Sequence, residues 1–315
     1  MNNLASFSFS KKGIQTMKRF LGGDQVGRYL KIGVIQNKVT KSHEDTFSNA
    51  LKLVDQAGSQ GAKLIVLGES FLHPYDMYIL KRNRTSISES VACHEFSMLA
   101  KKHQATIVGG TIPEKIPDDP KHIYNTSVVF SPFGTILGKY RKIHMFDVEV
   151  QGQVTYKESD HVRSGQELGV FGTTFGNLGV IICHDLRFAE LSLLYRKLNC
   201  NILVVPACFS MFTGQRQWSQ LLAARALDLQ SWVIGVSAAR DKEDVSFVRW
   251  AKSEIVDPWG RQYSKLGINQ DMSIVTIDLE QVEIARNQIP IHQQKRGDLY
   301  KLIKLASSKY TKKYY

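Results

Sequence analysis

From Tyr29 onwards, apolar runs of strand length alternate with amphipathic stretches of helix length, and that alternation confines the chain to a layered α/β fold. "YLKIGVIQ" (Tyr29 to Gln36) reads as a first strand. Thr46 to Ala57 places Phe47, Ala50, Leu51 and Val54 on one helical face. "KLIVLGE" is a second strand running into Glu69; a helix over Val91 to His103 and the strand "ATIVGG" follow. In the middle, "YNTSVVFSPFGTILGKYRK" joins two strand runs through a Pro-Phe-Gly turn, and "VFGTTFGNLGVIIC" and "SEIVDPWGRQYSKLG" have the same hairpin form. Leu178 to Ile182 reads as a short buried strand and Leu186 to Leu198 as the helix after it. The strand "NILVVPA", a helix over Trp218 to Gln230 and the strand "WVIGVSA" complete the pattern. Hairpins among βα units imply a mixed sheet. No linker or short repeat interrupts the chain, so one domain is expected.

A chain of 315 residues, 43% of them hydrophobic, suffices for one large core. No run approaches the ~18 apolar residues of a membrane span. The net charge of +12 is spread over separate clusters: Lys81, Arg82 and Arg84; Lys139, Arg141 and Lys142; Lys309, Lys312 and Lys313. Without a zinc-finger, homeodomain or aromatic RNA-binding signature beside them, they predict a surface that attracts acidic metabolites and no nucleic-acid partner. The four cysteines (Cys93, Cys183, Cys200, Cys208) include no C-x-x-C pair, which argues against zinc and for the reduced thiols of a cytoplasmic protein. Met1 to Gly23 contains no Asp or Glu and four basic residues, a composition that suits a mitochondrial transit peptide and a disordered cytosolic extension alike. "LGGDQVG" lacks the preceding strand that a nucleotide loop needs.

Three reactive side chains stand at or just after strand ends. Glu69 closes "LIVLG", Lys142 follows "TILGKYR", and Cys183 closes "LGVII" on a tight turn into a helix. Carboxyl ends of strands are where open α/β sheets place their ligands, so the three can converge although distant in sequence. Taken singly, each has a plainer reading: an inert buried cysteine, a solvated loop glutamate, a surface lysine. Together they form a nucleophile, a base and an electrophile. A thiol attacks as its thiolate, which a nearby ammonium or helix N-terminus favours. Glu69 would take the thiol proton and later activate water, while Lys142 and backbone N–H groups near His184 would hold an oxyanion. That set suffices for acyl transfer through a thioester.

These segments resemble the nitrilase superfamily, whose members carry a Cys–Glu–Lys triad on an αββα sandwich. The resemblance runs from about Leu30 to Tyr300 and is greatest to the omega-amidase branch, through "GGTIPE", "IYNTSVVFSPFGTILGKYRKIHMFD", "YKES", "RFAEL", "FSMFTG" and "DPWG". It implies an αββα sandwich with a mixed β-sheet core. It also implies Glu69 as base, Lys142 of "RKIH" as cation, Cys183 as nucleophile, and Glu158 of "YKES" as an assisting carboxylate. The division expected is an N-terminal extension over 1–28, a carbon-nitrogen hydrolase domain over 29–300 and a basic tail over 301–315. The chain departs from the family where Gly68 replaces a proline before the base, which predicts a looser strand end. It also has His184 for a tyrosine, Ser210 for an asparagine, Gln215 for a proline and Leu229 for an asparagine.

The function so implied is a cofactor-free, metal-free thiol amidase acting on ω-monoamides of dicarboxylic 2-oxo acids, such as 2-oxoglutaramate and 2-oxosuccinamate, in a cytoplasmic or mitochondrial homodimer. Alternatives are an amidase for deaminated glutathione or N-carbamoyl compounds, or an inactive homologue that binds a partner. His184, Ser210 and Arg225 are the expected substrate-binding residues, with the loop Ser210 to Gly214 and the helix carrying Arg225 as pocket walls. Arg225 and Arg240 are each able to hold a carboxylate or to pair with Asp228 or Asp241, and Arg187 reads as structural. Cys200 and Cys208 read as packing residues.

Overall fold

The computed structural model describes residues 27–152, 154–241 and 247–305. The possible transit peptide and the end of the basic tail lie outside the described residues. One seven-stranded sheet has the order β15-β1-β2-β3-β5-β4, with β6 also paired to β5. Its strands are β1 (Tyr29–Gln36), β2 (Leu64–Leu67), β3 (Thr106–Val108), β4 (Ile112–Lys115), β5 (Ile123–Phe130), β6 (Ile136–Arg141) and β15 (Asp271–Asp278). After a small hairpin of β7 (Asp147–Val150) and β8 (Val154–Lys157), a six-stranded sheet follows. It contains β9 (Gly169–Thr173), β10 (Gly176–Val180), β11 (Cys200–Pro206), β12 (Trp232–Val236), β13 (Glu254–Val256) and β14 (Gln262–Lys265) in the order β14-β13-β12-β11-β10-β9. Each of the two sheets is mixed, as the hairpins predicted: β1 is parallel to β2 and antiparallel to β15 in the first, and β10 is parallel to β11 and antiparallel to β9 in the second.

The period of two along a strand explains the layers. In β1, Ile32 and Val34 join Leu178, Val180, Ile202 and Val204 in the core between the sheets. Ile35 points the other way, into a second core against Ala50, Val54 and Ala57 of α1 (His43–Ser59) and Phe96 and Ala100 of α3 (Val91–His103). Across the sandwich, Trp218 and Leu222 of α5 (Met211–Leu229) cover the second sheet beside α4 (Ala189–Lys197). Both faces of the central strands are buried, which is why they read as continuous apolar runs. The result is the αββα sandwich. A short α2 (Met77–Arg82) and α6 (Glu280–Gln288) complete the elements.

Two expectations change. The helix expected over Leu186 to Leu198 begins at Ala189, because Cys183–Arg187 forms a 3-10 turn and Phe188 is extended, with φ −94° and ψ 100°. The helix expected from Trp218 begins at Met211, because the Ser210 hydroxyl accepts from the Thr213 N–H at 3.3 Å and caps it there.

Candidate active site

The period of two that builds the core also builds the site. β6 continues into Lys142, whose N–H donates to the Asn125 carbonyl (2.9 Å) and whose carbonyl accepts from Gly165 (2.7 Å). Its side chain therefore points inward and is fully buried. The ammonium donates to Glu158 Oε1 and Oε2 (3.0 and 2.9 Å) and to Glu69 Oε1 (3.2 Å). Glu69 Oε1 also accepts from Asn125 Nδ2 at 2.7 Å. Tyr75 Oη donates to Glu158 Oε1 (2.9 Å) and the Phe146 N–H to Oε2 (2.6 Å). Glu69 Oε2 is buried with no nitrogen or oxygen partner among the described residues, and the Cys183 thiol lies beside that carboxylate.

Cys183 sits in the left-handed region at φ 46°, a costly conformation for a non-glycine residue. Asp185 holds the turn. Its buried carboxylate accepts from the Ile182 and His144 N–H groups (3.0 and 2.9 Å) and from Tyr140 Oη (2.7 Å). The Cys208 N–H meets the Cys183 thiol.

Burial sets the electrostatics. It pushes the Glu69 carboxyl up, against the pull of the Lys142 ammonium. It pushes the Cys183 thiol well up too, with the Glu69 charge adding to the rise and Lys142 opposing it. Burial alone would lower the Lys142 ammonium, but Glu158 and then Glu69 override it and leave it raised. The cluster thus carries two carboxylates on one permanently charged ammonium, with a thiol and a carboxyl whose proton affinities both rise. Proton exchange between thiol and Glu69 is within its means.

The structure gathers Glu69, Lys142, Glu158 and Cys183 and adds Asn125, Tyr75 and Asp185. Neither composition nor strand phase singles out the last three; each is a polar residue whose role depends on which strand ends meet. His184 follows Cys183 in the chain, its ring edge-on to Phe146 (5.3 Å) and Phe188 (5.6 Å). Burial, with Arg187 next, lowers its pKa to about 3, so it is a neutral imidazole. Ser210 spends its hydroxyl on the cap of α5 and on Thr213 Oγ1 (3.0 Å) rather than on the pocket. Arg225 is not at the site. It lies fifteen residues along α5 from Ser210, about 22 Å at the helical rise, and pairs with Asp228 at 3.3 Å. Arg187 is the arginine near the thiol: it lies over the rings of Phe209 (4.5 Å) and Phe146 (5.9 Å), near enough to Cys183 to feel a thiolate, and its Nη2 donates to Gln217 Oε1 (2.9 Å). The strand end at Gly68 is tight, not loose: a Cβ there would meet the Ala238 nitrogen and the Ser237 carbonyl carbon at 2.8 Å, so glycine allows the two sheets' backbones to touch. No group of three His, Cys, Asp or Glu side chains able to hold a metal occurs among the described residues.

A sandwich of two mixed sheets with a Glu–Lys–Cys cluster at the strand ends defines a class, and the chain belongs to the carbon-nitrogen hydrolase family, which it matches over residues 31–287. Within it, the chain is 41% identical over 270 residues to the omega-amidase NIT2 of Danio rerio, covering 86% of this chain and 96% of that protein. The omega-amidase NIT2 of Homo sapiens is 37% identical with the same coverage. Among solved structures, Saccharomyces cerevisiae Nit3 superposes with a TM-score of 0.77 at 30% identity, over 85% of this chain and 97% of that one. The C. elegans NitFhit protein gives 0.82 at 29%, over 90% and 69%.

Proposed function

We propose that this protein is an ω-amidase that hydrolyses ω-monoamides of dicarboxylic 2-oxo acids, releasing the dicarboxylic acid and ammonia. The observation that carries the reading is the buried Lys142 ammonium bound to both Glu69 and Glu158 beside the Cys183 thiol. In this scheme Glu69 takes the thiol proton and the thiolate attacks the amide carbonyl. The oxyanion forms against Lys142, whose charge Glu158 holds in place. Glu69 returns the proton to the leaving nitrogen, ammonia departs, and a thioester remains. Glu69 then deprotonates a water that cleaves the thioester, and its proton restores the thiol. One amide and one water give one acid and one ammonia. With its pKa raised the thiol rests protonated, so the scheme needs a neighbouring base, the part given to Glu69.

The named relatives and the Arg187 guanidinium support the substrate class, since a distal carboxylate calls for a cation at the pocket wall. None of the four cysteines is in a disulfide, which supports work in the reducing cytoplasm. No described helix is long and apolar enough to cross a membrane. The exposed apolar side chains of Leu299 and Tyr300 at the end of the 29–300 domain, with Ile303 and Leu305 just beyond it, support a homodimer, to be checked by light scattering. Ammonia release from a small amide panel tests the function. A pocket that pairs a carboxylate rejects the analogue lacking it, often by ~10⁴-fold. Cleavage of 2-oxoglutaramate and succinamate should therefore far outpace cleavage of butyramide. Equal rates sink the specificity, and a preference for deaminated glutathione moves the protein to a neighbouring activity.

A further inference from the structure

We propose that Arg249 is a positioning residue that holds the base, Glu69, in place from the opposite sheet; the proposal rests on the reading of Glu69 above. Directly after Glu69 the chain turns sharply, with Ser70 in the left-handed region at φ 50°. The Ser70 N–H donates to Thr111 Oγ1 (2.9 Å) and its hydroxyl donates to the His73 carbonyl (3.0 Å). The turn brings the carbonyls of Ser70 and His73 to one point, and both accept from Arg249 Nη2, at 3.2 and 2.7 Å.

Arg249 is unusual for an arginine. It is 3% exposed, it forms no ion pair with a carboxylate of the described residues, and its Nη1 is buried without a hydrogen-bond partner. Taking a guanidinium out of water is costly, so the position has to return something for it. Its backbone shows what. Arg249 bridges to Ser210, and the Trp250 N–H donates to the Phe209 carbonyl at 2.8 Å. Phe209 follows Cys208, whose N–H meets the Cys183 thiol. One short segment thus ties the turn carrying the base to the strand end beside the nucleophile, across the join between the sheets.

The base needs such a tie. Glu69 is gripped through one oxygen only, and it is followed by a strained serine. A misplacement of about 1 Å at a reacting group costs on the order of 10²-fold in rate. Both bonds leave from a single nitrogen. A lysine ammonium, with three donors, can therefore serve where the planar fork is not used.

The test compares Arg249→Met with Arg249→Lys. Arg249→Met should lower kcat by ~10-fold or more with KM within ~3-fold, the signature of lost positioning rather than lost binding. It should slow alkylation of Cys183 by iodoacetamide to a similar degree, and Arg249→Lys should recover much of both losses. In a Glu69→Gln background Arg249→Met should add little, since residues acting through one group are not additive. A Met variant with full kcat and only a lower Tm overturns the proposal. So does a rise in KM confined to carboxylate substrates, or a full further loss in the Glu69→Gln background. Should Arg249→Met not fold, a folded Arg249→Lys as slow as Glu69→Gln overturns it as well. A fully active Glu69→Gln would instead sink the base itself, and that result is read separately.

Discussion

β6 and the residue after it feed two charge clusters of opposite character. The side chains at 139 and 141 face one way, and those at 140 and 142 face the other. On the first face, Lys139 Nζ donates to Glu114 Oε1 (2.7 Å), while Arg141 Nε and Nη2 donate to Oε2 (2.8 Å) and Oε1 (2.7 Å). Thr126 Oγ1 adds a fourth bond at 2.7 Å. On the other face, Lys142 is the one cation between Glu69 and Glu158. Glu114 therefore has two cations to itself, whereas Glu69 shares one. Burial pulls Glu114 up, but Arg141 and then Lys139 outweigh it and hold it down at about 2. At Glu69 burial wins and the carboxyl is raised. A carboxylate with surplus donors is fixed as an anion and serves as a staple. One with too few can take a proton, and that is what a general base must do.

The comparison predicts that changes in the inner cluster stop chemistry and spare the fold, whereas changes in the outer one do the reverse. The largest effect belongs to Cys183→Ala, which should abolish ammonia release while circular dichroism and Tm stay near wild type, since no other group forms the thioester. A folded and fully active Cys183→Ala breaks the comparison at once. Next come Glu69→Gln and Lys142→Ala, each expected to lower kcat by ~10² or more, the scale for a lost base or oxyanion donor. Lys142→Arg should not rescue. Here the ammonium reaches three carboxylate oxygens on two residues from one compact point, which a planar fork does not match. Arg249 bonds two carbonyls from one nitrogen, so the two cations should respond oppositely to exchange of Lys and Arg.

Much of this was legible beforehand, for a physical reason. Strand phase decides which side chains are inward, and the residues at strand ends are few, so Glu69, Lys142 and Cys183 stood out once the alternation was read. Glu158 came only through family resemblance, since nothing in "YKES" says that its 3-10 turn packs on Lys142. Arg225 is not placed by its sequence pattern, because helical phase does not report distance along the axis. From an expected start at Trp218 it sits in the second turn, about 10 Å in, but the Ser210 cap starts the helix two turns earlier. Arg249 is 179 residues from Ser70 in sequence, and no local pattern connects them.

A smaller effect sharpens the outer half of the comparison. Glu114→Gln keeps the shape but loses the charge that two cations face, so it should cost ~1–3 kcal/mol of stability, the range for a charge-assisted network left with unsatisfied donors. Turnover should stay within about threefold, because Glu114 touches neither Cys183 nor Lys142. A chemical-denaturation midpoint and a kcat on the same preparation decide it. A large loss of kcat with an unchanged midpoint would mean that the outer cluster belongs to the chemistry after all.

The last prediction is the pH dependence of that cost, where the two glutamates should differ in sign. Glu114 is held at about 2, below its ordinary 4.5, so the folded protein binds its proton more weakly than the unfolded chain does. The stability it contributes is complete above the ordinary value and drains away as pH falls from about 4.5 towards 2. The midpoint difference between wild type and Glu114→Gln should therefore be constant near neutrality and shrink through that window. Glu69 is raised above its ordinary 4.5, so the folded state holds its proton more tightly, and acidification from above down to that ordinary value favours folding as far as this group alone is concerned, with nothing further gained below it. The difference between wild type and Glu69→Gln should accordingly move in wild type's favour as pH falls towards about 4.5, and level off where the Glu114 difference begins to shrink. Denaturation midpoints for the three proteins at several pH values from neutral to ~3 read both slopes. If the two differences run in parallel, the surplus of donors at Glu114 and the shortage at Glu69 do not set their proton affinities, and the contrast between staple and base loses its physical ground.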